Sequence, residues 1–489
     1  MRARTPNRDR PMNRSIFPRA AAMAALMAGL VAVAGCDDGL TDINRNPNSP
    51  DQASADQLFS NAVEASVSRV FGSGLHMRMP AIWAQHYAQH RYTEEDVYKL
   101  SDSRISTAWT GFYAGPQQDF QEVIQKGTTD GKPNVAAMGR IMQSWTFHVM
   151  TDLWGDIGYS DALKGREQGS SNTPKLDAQK DVYSGLLASL KADQAALTPG
   201  GAGFGNPTAD LIYKNDAAKW KKFANSLRLR MAMRMSNVDP AKARTEFNDA
   251  LAAGVFTSNA DNAQLVYSKE DPNVNPIFAY IRGRDDHTIS ATMVDTLKSL
   301  ADPRLAIYAT KSKQRGEYAG MPNGVMYDPP LDSLSRIGDY YNKPDASAVL
   351  MSYSEVLFLQ AEAAQRGWTG GDAAALYRQA ITAAMQQLGI AQASIDAYLA
   401  QPSVAYNGLA SIQIQKWIAL FGNGPEAWAE WRRTGLPVLK PGPDAENGGK
   451  IPVRLPYPQD EARRNPENIK EATTRQGGAG MNDKLWWNK

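Results

Sequence analysis

Two histidines four residues apart, His86 and His90, are the first residues in this chain whose types and spacing suit chemistry. On a helix they would share one face, the geometry that starts a zinc site. The motif needs Glu directly after the first His as general base, and Tyr87 stands there instead. Glu94 and Glu95 are near enough in sequence to supply a third ligand. A polar helix face is nonetheless the better reading, so neither a metal nor a cofactor is assigned. Gly158-Tyr-Ser-Asp lacks the second glycine of a nucleophile elbow, which discounts Ser160. Gly200 to Gly205 has no apolar strand before it and Pro207 after it, so it reads as a loop and not a phosphate cradle. Arg282, Arg284, Asp285, Asp286 and His287 crowd one loop. Carboxylates this close suit acid–base work, but a solvated loop or a polar ligand contact explains them better. No catalytic residue is assigned. A glycosidase would leave an equally mute sequence, because its carboxylate pair is set by the fold.

Aromatic side chains are the remaining resource. Trp83, Tyr87, Trp109, Phe112 and Tyr113 fall at spacings expected of a core. Tyr92, Tyr98, Tyr340 and Tyr341 sit among Arg91, Thr93, Glu94, Asp96, Asp339 and Asn342, in stretches that read as irregular, and are expected at the surface. A ring beside Asn, Asp or Arg suits sugar or peptide capture: the ring covers apolar C–H faces while polar groups bond hydroxyls or amides. The candidate ligand-binding set is therefore Tyr92, Tyr98, Asp339, Tyr340, Tyr341 and Asn342, with Arg284 and Asp285.

Cys36 is the only cysteine among 489 residues. Ala20 to Gly35 before it is an uncharged run of small and apolar residues, preceded by six arginines and one acid, Asp9. This is the pattern of a secretory signal, too short to span a bilayer comfortably. Met12 offers a second start with a more usual basic region. Removing residues 1–35 takes away six positive charges and one negative, so the formal net charge of +2 becomes −3. That balance argues against nucleic acid as a partner. With the cysteine at the signal boundary, no disulfide and no Cys-based metal site is expected.

The elements that must position these residues are mostly helical. Residues 36–54, with Asn44, Asn46, Pro47, Asn48 and Pro50, read as an extended tether. Helical patterns follow over Ala55 onward, Ile82 to His90, Arg104 to Tyr113, Val135 to Trp154, Asp177 to Leu197 and Asp216 to Met235. In the last, Trp220, Phe223, Ala224, Leu227 and Met231 form the apolar stripe, which puts Arg228, Arg230 and Arg234 elsewhere on the wheel. Residues 255–345 read as irregular structure and short strands over a helical base. Tyr353 to Ala384, broken at Gly367 to Gly371, resembles a tetratricopeptide hairpin without a strict repeat. Ile412 to Trp431 reads as a last strong helix, and a Pro-rich tail runs from Pro437 to Trp486 and Trp487.

Together these stretches resemble the SusD/RagB family of nutrient-binding outer-membrane lipoproteins, in its SusD-like branch. Val33-Ala-Gly-Cys36 is similar to a lipobox. The rest of the likeness runs through LTDINRNPNSP (40–50), DLWGDIGYSDAL (152–163), KWKKFANSLRLRMAMR (219–234), DPRL (302–305), MSYSEVLFLQAEAAQRGW (351–368), IQKWIALFGNGPEAWAEWRRTGLPVL (414–439) and RLPYPQDE from Arg454. The resemblance implies a mostly α fold with degenerate tetratricopeptide-like hairpins and a loop-rich ligand-binding half. It implies a signal peptide over 1–35, lipidation of Cys36, a tether over 36–54 and one domain over 55–489. It further implies surface exposure on the outer membrane and a SusC-like TonB-dependent transporter as partner, for delivery of a captured oligosaccharide or peptide without catalysis. Asp37 and Asp38 fit the acidic export signature of such lipoproteins. Trp417, Trp428, Arg432 and Arg433 resemble scaffold positions of the family. A surface hydrolase such as a glycosidase, and a purely structural transporter subunit, are the competing expectations.

Overall fold

The computed structural model describes residues 53–165 and 169–489; the signal-like segment, Cys36 and nearly all of the tether lie outside the described residues. Ala55–Lys489 forms one compact unit. Its helices of eleven residues or more are α1 Ala55–Phe71, α2 Asp102–Phe112, α3 Gln118–Thr129, α4 Pro133–Trp154, α5 Gln179–Ala196, α6 Ala217–Arg234, α7 Pro240–Ala252, α8 Tyr353–Gln365, α9 Ala373–Gln387, α10 Gly408–Ala419, α11 Gly424–Thr434 and α12 Pro466–Gln476. Successive helices from α3 to α7 pack on their neighbours, as do α8 and α9, and α8 also touches α6 and α10. The mostly α, hairpin-built architecture thus agrees with the sequence reading. Local chemistry sets several boundaries. The carboxylates of Asp216 and Asp372 accept from backbone N–H groups at the starts of α6 and α9, and Ser352 and Asn423 cap α8 and α11. Gly435 closes α11 in the left-handed conformation (φ 69°), where a Cβ would be strained.

Four differences from the expected elements matter. His86 and His90 do not share a helix face. The helix there ends at Trp83, and Tyr87–Gln89 forms strand β1. The expected helix over Ile412 to Trp431 is two helices, α10 and α11, separated at Gly422 (φ 89°). The tail is not simply Pro-rich, since it carries Gln459–Arg464 and α12. Arg228, Arg230 and Arg234, off the apolar stripe, are nonetheless fully buried.

The burial of the last two arginines explains how the hairpins hold to the C-terminal helices. Arg230 bonds both oxygens of Glu355 on α8 at 2.7 Å, and the carbonyl of Leu350 at 2.8 Å. Arg234 reaches Glu426 at 2.6 and 2.7 Å, Glu430 on the same helix, and Asp152 at 3.3 Å. Arg433 bonds Glu362 at 2.7 Å on each oxygen and Glu430 at 2.7 Å. Lys416 reaches Glu430 at 2.8 Å. Charges taken this far from water are tolerable only when so fully paired. Burial would raise the Glu362 carboxyl, but the Arg433 guanidinium brings it down to about 2. The C-terminus joins the same cluster: the buried Trp487 indole donates to Asp152 at 2.9 Å and lies under the Arg234 and Arg432 guanidinium groups. The scaffold-like Trp417, Trp428, Arg432 and Arg433 are all buried, as is Arg304 of the DPRL stretch, paired with Asp302.

Two short antiparallel ribbons organise the irregular half. Strand β1 pairs with β3, His287–Ile289, in the register Tyr87↔Ile289 and Gln89↔His287. Strand β2, Ala263–Val266, pairs with β4, Ser347–Met351.

Candidate ligand-binding face

The β1–β3 register carries the consequence that matters. It sets the residues just after β1 (His90, Arg91, Tyr92) against those just before β3 (Arg284, Asp285, Asp286), although they are almost 200 positions apart. Tyr92 has a φ of 55°, rare for a residue with a Cβ, and its ring is 53% exposed. The Arg284 guanidinium lies over that ring, 4.1 Å from its centre. Such a stack holds a flat aromatic platform open to solvent.

Asp286 fixes the arginine from beneath. It accepts from Arg284 Nε at 2.8 Å, from the Tyr280 hydroxyl at 2.7 Å and from His287 Nδ1 at 2.8 Å. Burial would raise this carboxyl, but the bonds from His287 and Tyr280 and the Arg78 charge hold it well below the ordinary carboxylate range. Burial lowers His287, which therefore stays neutral near pH 7. His90 Nε2 donates to the Asp285 carbonyl at 2.9 Å, while its Nδ1 lies 3.3 Å from Asp328. Arg91 Nε also donates to Asp328, at 3.2 Å. These contacts tie the 326–330 loop to the Tyr92 face, and Met326 and Tyr327 on that loop are 61% and 63% exposed.

Asp285 extends the arrangement in another direction through an ion pair with Arg336. Arg336 is bonded through its backbone to Thr310, and the chain then reaches Asp339, Tyr340, Tyr341 and Asn342. Asp339 is exposed and Tyr340, Tyr341 and Asn342 are half-buried. Tyr340 and Tyr341 meet edge to face at 5.0 Å, and Tyr341 packs against Tyr308 and Phe421. Gly422 permits this approach, since a Cβ there would lie 2.6 Å from the Tyr341 ring. Asp339, Tyr340 and Lys343 form one wall of an open groove of about 590 Å³, with Lys311 and Tyr318 across it.

Of the residues expected from sequence, Tyr92, Arg284 and Asp285 come together on one face, and Asp339, Tyr340, Tyr341 and Asn342 on a second, with Arg336 between them. Tyr98 joins neither. Its expected exposure is corrected, because the ring is 2% exposed and packed into the core. His90, Arg91, Met326, Tyr327, Asp328 and Arg336 lie outside the ligand-binding set expected from sequence. The Tyr327-Asp-Pro-Pro330 stretch carried the available signal, since consecutive prolines bar a ladder or helix and leave the preceding ring on a loop. Among the described residues no group of three or more His, Cys, Asp or Glu is placed to hold a metal ion.

Residues 47–458 match the SusD-like family profile described as "starch-binding associating with outer membrane". The chain belongs to the SusD-like family. Its fold superposes on a solved chitin-binding protein with a TM-score of 0.79 and 32% identity, covering 88% of this chain and 99% of that one. A chitin-binding SusD homolog from Flavobacterium johnsoniae gives 0.78 and 28%, covering 88% and 98%. A SusD homolog from Bacteroides uniformis gives 0.80 and 26%, covering 90% and 100%. No curated protein matches the chain. Among the described residues, no helix is long and apolar enough to cross a membrane.

Proposed function

We propose that this SusD-like protein captures a glycan at the Tyr92–Arg284 face and delivers it to a SusC-like TonB-dependent outer-membrane transporter. The carrying observation is the exposed Tyr92 ring, braced by Arg284 and joined through Asp328 to the loop of the exposed Tyr327. Rings of this kind cover the C–H face of a sugar while Arg, Asp and Asn bond its hydroxyls. The chitin-binding relatives favour an N-acetylated glycan over a peptide. Residues 1–35 serve as the signal, Cys36 carries the lipid, 36–54 is the tether and 55–489 is the binding domain on the cell surface. Asp339, Tyr340, Tyr341 and Asn342 form the outlying part of the ligand surface. Catalysis is not part of the proposal: Asp285, Asp286 and Asp328 are each engaged by cations or by Tyr and His donors, which leaves none poised as a free acid or base.

Titration calorimetry of the full chain with chitooligosaccharides tests this reading. Saturable binding that Tyr92→Ala weakens, with the sugar recovered uncut, is the expected result. Shortened products would favour the hydrolase, and no binding to any glycan or peptide would favour a purely structural subunit. Cys36→Ser is expected to release the protein from the membrane; unchanged membrane retention would remove the anchor from the proposal.

A further inference from the structure

A second cavity, of about 410 Å³, opens between α1, α2 and the turn that follows α1. Arg69 and Arg104 line it together with Ser73, Ser101 and Ser103, over an apolar floor that includes Phe112. Its size falls in the range of small-molecule sites, about 300–1,000 Å³.

Arg69 is exposed to solvent and is the cavity arginine without a protein partner among the described residues. Most arginines near it are paired: Arg104 meets Glu95 at 2.6 Å, and Arg78 meets the same carboxylate at 3.1 Å. Arg69 makes no ion pair or hydrogen bond among the described residues, yet the fold makes room for it. Its guanidinium lies against Gly111 on α2, where a Cβ would come within 2.1 Å of Nη1, and close to Gly115. Gly111 sits inside a helix without a positive φ, so no backbone requirement explains it, and a helical glycine costs roughly 0.5–1 kcal/mol relative to alanine. Its evident effect is to let a flat cation lie along the helix and face the cavity. The hydroxyls of Ser73, Ser101 and Ser103 likewise have no protein partner among the described residues.

We infer that this cavity is a second ligand site, taking the carboxylate of a sugar acid on Arg69 and its hydroxyls on the three serines. A guanidinium fork matches a planar carboxylate in two parallel bonds, and the serines both donate to and accept from sugar hydroxyls. The apolar floor suits the C–H face of the ring. Arg104 adds positive potential while its pair with Glu95 keeps it in place. No residue of the Tyr92 face lines this cavity, so Arg69 and Tyr92 can each be altered without touching the other's site.

Glucuronate, glucose and inorganic sulfate, titrated in turn into the full chain, test the inference. Glucuronate is expected to bind at least about tenfold more tightly than either of the others, and Arg69→Ala to weaken it by about tenfold or more. Tyr92→Ala should leave glucuronate binding intact, and Arg69→Ala should leave chitooligosaccharide binding intact. A readout on the unaltered protein guards against misfolding: glucuronate should slow phenylglyoxal modification of Arg69, followed by peptide mass spectrometry. Equal binding of glucuronate and glucose, or no protection of Arg69, would overturn the site. Sulfate binding as tightly as glucuronate would overturn its assignment to a sugar.

Discussion

The cluster around Arg234 and the face around Arg284 use the same residue types for opposite ends. Both set an arginine between a carboxylate and an aromatic ring: Arg234 lies between Glu426 and Trp487, Arg284 between Asp286 and Tyr92. Arg234 is wholly excluded from water, and its partners come from three separate stretches of chain, at Asp152, at Glu426 and Glu430, and at Trp487. Arg284 has nearly half its side chain exposed. In the first case a loss leaves buried partners short of compensating charge. In the second, water replaces what is lost, and the geometry matters for what it presents outward. Residue type therefore says little about role here; burial decides it.

The largest way to break that contrast is Arg234→Ala. It removes the cation that Glu426 and Glu430 share, leaving Glu426 with Arg230 at 3.5 Å and Glu430 with Lys416 and Arg433, and the expected cost is about 3–5 kcal/mol of folding stability by denaturant titration. A loss no larger than that of an exposed arginine would collapse the distinction. Acid should also act on the buried side first. Burial brings His76 and His86 down to about 3 and His148 to about 4. Unfolded histidines protonate below pH 6.5 while these do not, so stability is fully present above that pH and is lost as pH falls. Each group should remove up to about 1.4 kcal/mol per pH unit, visible as a falling melting temperature between pH 6.5 and 4. Glu362 adds a further loss below about pH 4.5, as pH approaches its lowered value of about 2. Glycan affinity of the molecules still folded should change little over pH 5.5–8.

On the exposed side the pattern should reverse. Tyr92→Ala is expected to weaken glycan binding by about tenfold with an unchanged melting temperature; a melting shift without an affinity loss would reassign Tyr92 to the scaffold. Asp328→Asn should do least, an affinity change of about two- to threefold, because its pairs with His90 and Arg91 are solvent-screened.

How much of this was legible in the sequence follows the same division. Apolar periodicity is a local signal, and it located α4, α5, α6 and the α8–α9 hairpin to within a few residues. It did not reveal that the arginines of α6 are buried: Arg228 meets Glu246 and Asp249 on the next helix, while the acids of Arg230 and Arg234 at Glu355, Glu426 and Glu430 lie 120 or more residues away. Glycine marked the hairpin break at Gly367 but not the one at Gly422, which falls within a strongly apolar stretch. In the candidate site, Tyr92 and the Arg284–Asp285 pair could be read from polar neighbours. Their meeting could not, because it depends on a three-residue ribbon too short to show alternation. Tyr98 shows the converse failure: polar neighbours in sequence surround a ring that packs inward.

The position of Trp487 bears on how the interior is closed. Asp152 receives its indole donor from a residue 335 positions away, and Arg432 receives part of its cover from the same ring. Trp486 and Lys489 add bonds to Gln179 and Gln476. Without Trp487 the Asp152 carboxylate would lose a donor and the Arg432 guanidinium part of its cover, so a ring from a distant stretch of chain closes an interior that the hairpins alone leave open.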